Sequence, residues 1–212
     1  MEGYTMGKEN LHIFRGELAL ALAVIINSFG VVLMLYSGAG ISAISSVPYA
    51  FSEVIPKVSL GTWTYIFQGL LVLSLMILRK KFVPQYLFSF VLGFIFSELL
   101  DVHKMWIDIL PTDLGWCVLY FVVSYFLLCI GIALSNRCKL PIIPTDLFPR
   151  ELSEIINVSY SKVKIIFDVT CLAVTAGMTF IFLGRLDGLG IGTVLAAFTM
   201  DKKFRFVSFL SK

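Results

Sequence analysis

Asp168 is the residue of this sequence with the most chemistry to offer. It lies in the apolar stretch 165–183, where a carboxylate is costly to bury and is by default a functional-site candidate. A carboxyl group there could bind and release a proton. A structural role competes, because Lys164 stands four residues earlier on the same helix face, and the pair could snorkel toward the cytoplasm. Asn27 interrupts the apolar run 18–36 and could bond across a helix interface or to a ligand. Gln68 occupies the place of Asp168 in an earlier repeat, so the two could hold one polar ligand from two sides. Ser45, Ser46 and Tyr49 fall in GAGISAISSVPYAFSEVIP at 38–56, and Asp146 and Arg150 in KLPIIPTDLFPRELSEI at 139–155. In both stretches the free N–H groups of a helix N-terminus could face an anionic ligand group. The plainer alternatives are a cap for Asp146, a topology charge for Arg150 and an interfacial anchor for Tyr49. Glu98, near the end of its apolar stretch, reads as a solvated helix end.

No enzyme pattern is present. His12 and His103 are expected outside the spans, and no Gly-x-Ser-x-Gly elbow or phosphate-binding glycine loop occurs. The four cysteines include no C-x-x-C, and Cys117, Cys129, Cys138 and Cys171 read as apolar filler. No cofactor, metal or nucleic-acid partner is expected.

The elements that must position these residues are membrane helices. The 212 residues are 58% hydrophobic and only 15% charged, against about 25% charged in a soluble domain. Leu18–Tyr36, Leu60–Leu78, Phe82–Leu100, Leu114–Leu134 and Ile165–Leu183 are each long enough to span, and Gly188–Met200 is a shorter sixth candidate. The two interrupted stretches are related. Ser52-Glu53, Pro48 and Gly30 match Ser153-Glu154, Pro149 and Gly131 at an offset of 101 residues, and Gln68 and Gly93 match Asp168 and Gly192 at 100 and 99. This predicts a duplicated unit, with a leader at 1–13, repeats at 14–101 and 115–201, an external loop at 102–114 and a tail at 202–212. Within each interrupted stretch a half-helix that re-enters the membrane is expected. Ser45 or Ser46 would cap the first and Asp146 the second, with Pro48 and Pro149 in the first turns.

Three spans per repeat force the two copies into opposite orientations. The expected fold is therefore an all-α membrane protein of six transmembrane helices in two inverted three-helix repeats, each with an interrupted or re-entrant half-helix. With both termini in the cytoplasm, only Lys57, Lys104 and Arg185 of the 17 Lys and Arg face outward, as the positive-inside rule asks.

The strings GAGISAISSVPYAFSEVIPKVSLGTWTYIF and DGLGIGTVLAAF resemble the YczE/YyaS/YitT family of bacterial multi-pass membrane proteins, along nearly the whole chain. The resemblance implies a bacterial inner-membrane protein of transporter-like character and does not specify a substrate. The repeat geometry points the same way, because inverted repeats with broken helices build the midplane sites of secondary transporters. The expected function is thus secondary transport of a small solute or ion, with proton coupling through Asp168. A passive channel, a non-transporting accessory or scaffold protein, and a capture subunit needing an energising partner are the alternatives. The glycine face of 188–197 would permit a homodimer.

Overall fold

A computed structural model describes residues 6–137, 142–190 and 192–193, with side chains from residue 16 onward and not those of 136 and 137. Seven helices follow one another: α1 (Met6–Tyr36), α2 (Ala43–Val54), α3 (Leu60–Arg79), α4 (Pro84–Ile107), α5 (Leu114–Arg137), α6 (Pro144–Ile155) and α7 (Tyr160–Leu183). There is no strand among the described residues. Five helices contain stretches of 20 to 24 residues that are long and apolar enough to cross a bilayer. They leave large apolar side chains such as Ile77, Phe88, Val91 and Phe180 on the outside, a surface suited to lipid and not to water. The chain is a multi-pass membrane protein.

The two short helices have the same length, 12 residues, and start 101 positions apart. Their surroundings correspond as well. α2 packs on α3 and α7, while α6 packs on α7 and α3. α1 and α5 pack against each other where Gly30 meets Leu128 and Gly131 meets Asn27. Tyr36 lies near Tyr120, with ring centroids 6.0 Å apart. As the number rises along α1 the partner's number falls along α5, so the helices run antiparallel. Without side chains, Gly30 and Gly131 let the two backbones approach closely.

Several boundaries differ from expectation. α1 already begins at Met6, inside the stretch 1–13 read as a leader. α4 continues to Ile107, which is 3% exposed in the main core cluster, so the loop 102–114 opens with helix. His103 is therefore inside a candidate span, in a cluster with the rings of Phe29 and Trp106. Neither Ser45, Ser46 nor Asp146 is a cap: the N-caps are Ser42 and Ile143, and Pro48 and Pro149 stand inside their helices. A proline in that place denies an N–H to the carbonyl four residues back, here Ile44 and Thr145. After α7, residues 184–190 are non-helical, with Gly184 and Gly188 at positive φ. The sixth span at 188–200, the tail at 202–212 and Cys138 lie largely or wholly outside the described residues.

Candidate functional site

The N-terminal ends of α2 and α6 open into one cavity of about 420 Å³, within the size range of small-molecule sites. α2 contributes Ser42 to Ser45, and the α6 end contributes Ile142, Ile143, Thr145 and Asp146. The walls come from the long helices: Asn27 and Val31 of α1, Phe96 of α4, Leu128 and Ile132 of α5, and Lys164 and Asp168 of α7. Arg150, Ser153 and Glu154 of α6 and Tyr160 complete the lining. Several of these stand 101 positions apart, such as Asn27 and Leu128, Val31 and Ile132, Ile44 and Thr145, and Ser45 and Asp146.

Neither short helix has a side chain capping its first turn. The Ser42 hydroxyl instead donates to Ser45 at 2.8 Å. Both positive helix ends are thus turned toward the cavity with first-turn N–H groups that lack an intrahelical acceptor. Asn27 is 4% exposed, and its Oδ1 has no hydrogen-bond partner among the described residues.

The charges are concentrated on α6 and α7. Asp168 is 4% exposed, and Lys164 Nζ donates to both of its carboxylate oxygens, at 2.6 and 2.7 Å. Asp146, in the first turn of α6, forms no ion pair among the described residues. Burial pushes its carboxyl up to about 6, opposed by Lys164 and assisted by Asp168.

Of the residues singled out from the sequence, Asn27, Ser45, Asp146, Arg150 and Asp168 share this cavity. Three do not line it. Ser46 is buried behind it, donating to the Ala43 carbonyl at 2.7 Å and lying 2.8 Å from the Thr175 hydroxyl. The Tyr49 hydroxyl donates to Asp187 at 3.2 Å, on the far side of α2. Gln68 is fully buried beside Gly93 and Pro144, and neither of its amide atoms has a partner among the described residues. The sequence reading did not name Ser42, Thr145, Ser153, Glu154 or Tyr160 as site residues. Among the described residues no group of three His, Cys, Asp or Glu could hold a metal ion.

A protein-family model described as a family of unknown function (DUF6198) matches residues 14–209, and the chain belongs to that family. No curated protein matches it. No solved structure matches it either.

Proposed function

We propose that this chain is a secondary transporter of small solutes, built from two inverted repeats and working in a bacterial inner membrane with both termini in the cytoplasm. The observation that carries the reading is the meeting of two uncapped short-helix N-termini in one cavity, walled by long apolar helices. Broken helices that aim their ends at a central site are how many transporters bind cargo. The antiparallel crossing of α1 and α5 supports the inversion, because an axis exchanging antiparallel helices runs across them and hence in the membrane plane. The exchange of partners between α2 on α7 and α6 on α3 fits the same axis. The likeness to YczE/YyaS/YitT proteins is part of this proposal.

Proton coupling in this reading belongs to the Asp146–Lys164–Asp168 group. Asp168 was the first candidate from sequence, yet it is the carboxylate that Lys164 chelates. Asp146 is the unpaired one, with its proton leaving at about 6. The charged groups around it are Lys164 and Asp168 from α7 and Arg150 and Glu154 from its own helix; α1, α2, α4 and α5 add none to the lining. Below pH 6 Asp146 is neutral, and above it the carboxylate itself sits at the α6 N-terminus. Uptake of a substrate that uses that N-terminus should therefore rise as pH falls through about 6.

Proteoliposomes holding the purified chain, offered a panel of anionic, cationic, zwitterionic and neutral small solutes, test this. Saturable uptake of at least one solute is expected, cut at least tenfold by Ile44→Trp, which fills the cavity. Asp146→Asn should flatten its pH dependence. Flux that does not saturate would favour the channel. No flux of any solute by folded protein would favour the accessory role. Lys57→Cys and Val158→Cys, equivalent exposed positions, should be labelled from opposite sides of the membrane; labelling from one side removes the inverted repeat.

A further inference from the structure

At an offset of 100 or 101 residues α1 falls on α5, α2 on α6 and α3 on α7, while α4 falls on 184–207, beyond α7. α4 packs on both α1 and α3. The Phe29 ring lies 5.3 Å from His103 and 5.7 Å from Trp106, centroid to centroid. Tyr65 stacks on Phe90 at 4.6 Å, and Gly69 faces the same ring. The residues at that offset from Phe29, Tyr65 and Gly69 are bare: Ile130, Ile165 and Val169 are each between 40% and 51% exposed. Elsewhere the two sets agree. Leu18, Leu22 and Ile25 are exposed, and so are Leu119, Val123 and Phe126, 101 positions on. The spans of α1 and α3 are 56% and 39% buried, whereas those of α5 and α7 are 22% buried each. Among the described helices none packs on both α5 and α7, although both wall the cavity and α7 brings the Lys164–Asp168 pair to it. Hydrocarbon reaching that pair through a gap between α5 and α7 would be costly.

We infer that residues 194–212 cover this face, lying across α5 and α7 as α4 lies across α1 and α3, and so close the cavity on that side. This rests on the duplicated plan of the reading above and not on transport. The chain is led to the right place. The Ile41 N–H donates to the Thr193 hydroxyl at 3.1 Å and the Gly192 N–H to the Ala39 carbonyl at 2.9 Å. A side chain on Gly192 would strike the Phe121 ring of α5. The 19 residues after Thr193 would reach about 28 Å as a helix, close to the length of a span. Their order fits as well. VLAAFTM is apolar, and Ala196 and Ala197 are small enough for close helix packing. Lys202, Lys203 and Arg205 follow, where a helix returning from the outer side meets the cytoplasmic surface.

The test uses the full chain in the membrane of an expressing cell. A photoreactive benzophenone amino acid replaces Ile130, Ile165 or Val169, one at a time, and Phe88 on the exposed face of α4 serves as the control. After irradiation the adducts are sized on gels and mapped by mass spectrometry. At least two of the three face positions should give adducts within one chain, to peptides from 194–212, and Phe88 should give none. Three positions on two helices keep a probe that displaces its own neighbour from deciding the result. Any other pattern overturns the inference: adducts the size of two chains would put a second copy on the face, and adducts to lipid alone, or none, would leave it to the bilayer. Labelling of Lys57→Cys and Val158→Cys from opposite sides decides the inverted repeat separately, and solute uptake decides transport, so a failure here removes only the covering segment.

Discussion

α2 and α6 are the same device built from different chemistry. Each has 12 residues, an interior proline at the same place and an uncapped N-terminus on the shared cavity. α2, AISSVPYAFSEV, puts eight residues in the buried class and faces the cavity with serines. α6, PTDLFPRELSEI, buries four and faces it with Asp146, Arg150 and Glu154. Their anchors differ in the same sense. α2 is held by a phenol, through Tyr49 on Asp187. α6 is held by charge, through Arg79 on Glu151 at 2.7 Å and on Glu154 at 3.3 Å, with the Tyr86 hydroxyl donating to Glu151. Behind them, Gln68 of α3 and Asp168 of α7 repeat the contrast of neutral and ionised. The two short helices share length, proline position and cavity, and α6 carries the charges.

The sharpest way to break that contrast is Lys164→Met. It takes from the Asp168 carboxylate, which is 4% exposed, the ammonium that donates to both of its oxygens, and breaking a buried pair from one side costs about 3–5 kcal/mol. Thermal unfolding in detergent should show the loss. Lys164→Thr combined with Asp168→Gln copies Thr64 and Gln68 of the first repeat and should restore most of it. A single Lys164→Met with unchanged stability would mean that the second copy does not depend on its charges.

Next in size is Glu151→Gln. The carboxylate joins Arg79 and Tyr86 at the α3–α4 end, and the side chains of Arg79 and Glu151 are 33% and 17% exposed. Hydrogen bonds to charged groups contribute about 1.5–3 kcal/mol, and partial exposure places the expected loss near the lower end, about 1–2 kcal/mol. The loss should shrink in high salt, whereas an uncharged anchor would be indifferent to it.

Much of this frame could be read from the sequence, and the misreadings have physical causes. The offset of 101 residues located both short helices because Ser-Glu and Pro recur at fixed places within them. The caps were misplaced because a proline after serines reads as a first turn. Pro48 and Pro149 instead sit deeper, inside their helices. α4 outran its apolar stretch because Ile107 packs into the core while Asp101 and Lys104 lie on the helix without ending it. Asp101 instead serves α3, accepting from the Ser59 hydroxyl at 2.5 Å and the Gly61 N–H at 2.8 Å. Asp168 and Lys164 were legible as a possible pair from their spacing. That Asp146 would be the unpaired carboxylate was not, since its environment is made by α7, which follows it in the chain.

The smallest expected effect comes from the neutral anchor, Tyr49→Phe. The hydroxyl donates to Asp187 at 3.2 Å, and Asp187 keeps Arg185 at 2.9 Å and the Gly188 N–H at 2.9 Å when that bond is lost. The ring that packs against Gly188 is retained. A net hydrogen bond contributes about 0.5–1.5 kcal/mol, so the loss should be about 1 kcal/mol or less in thermal unfolding, with little dependence on salt. If Tyr49→Phe proved as damaging as Glu151→Gln, or as sensitive to salt, Asp187 would be part of a charged anchor for α2, and the two half-helices would differ less in how they are held than in what they show the cavity.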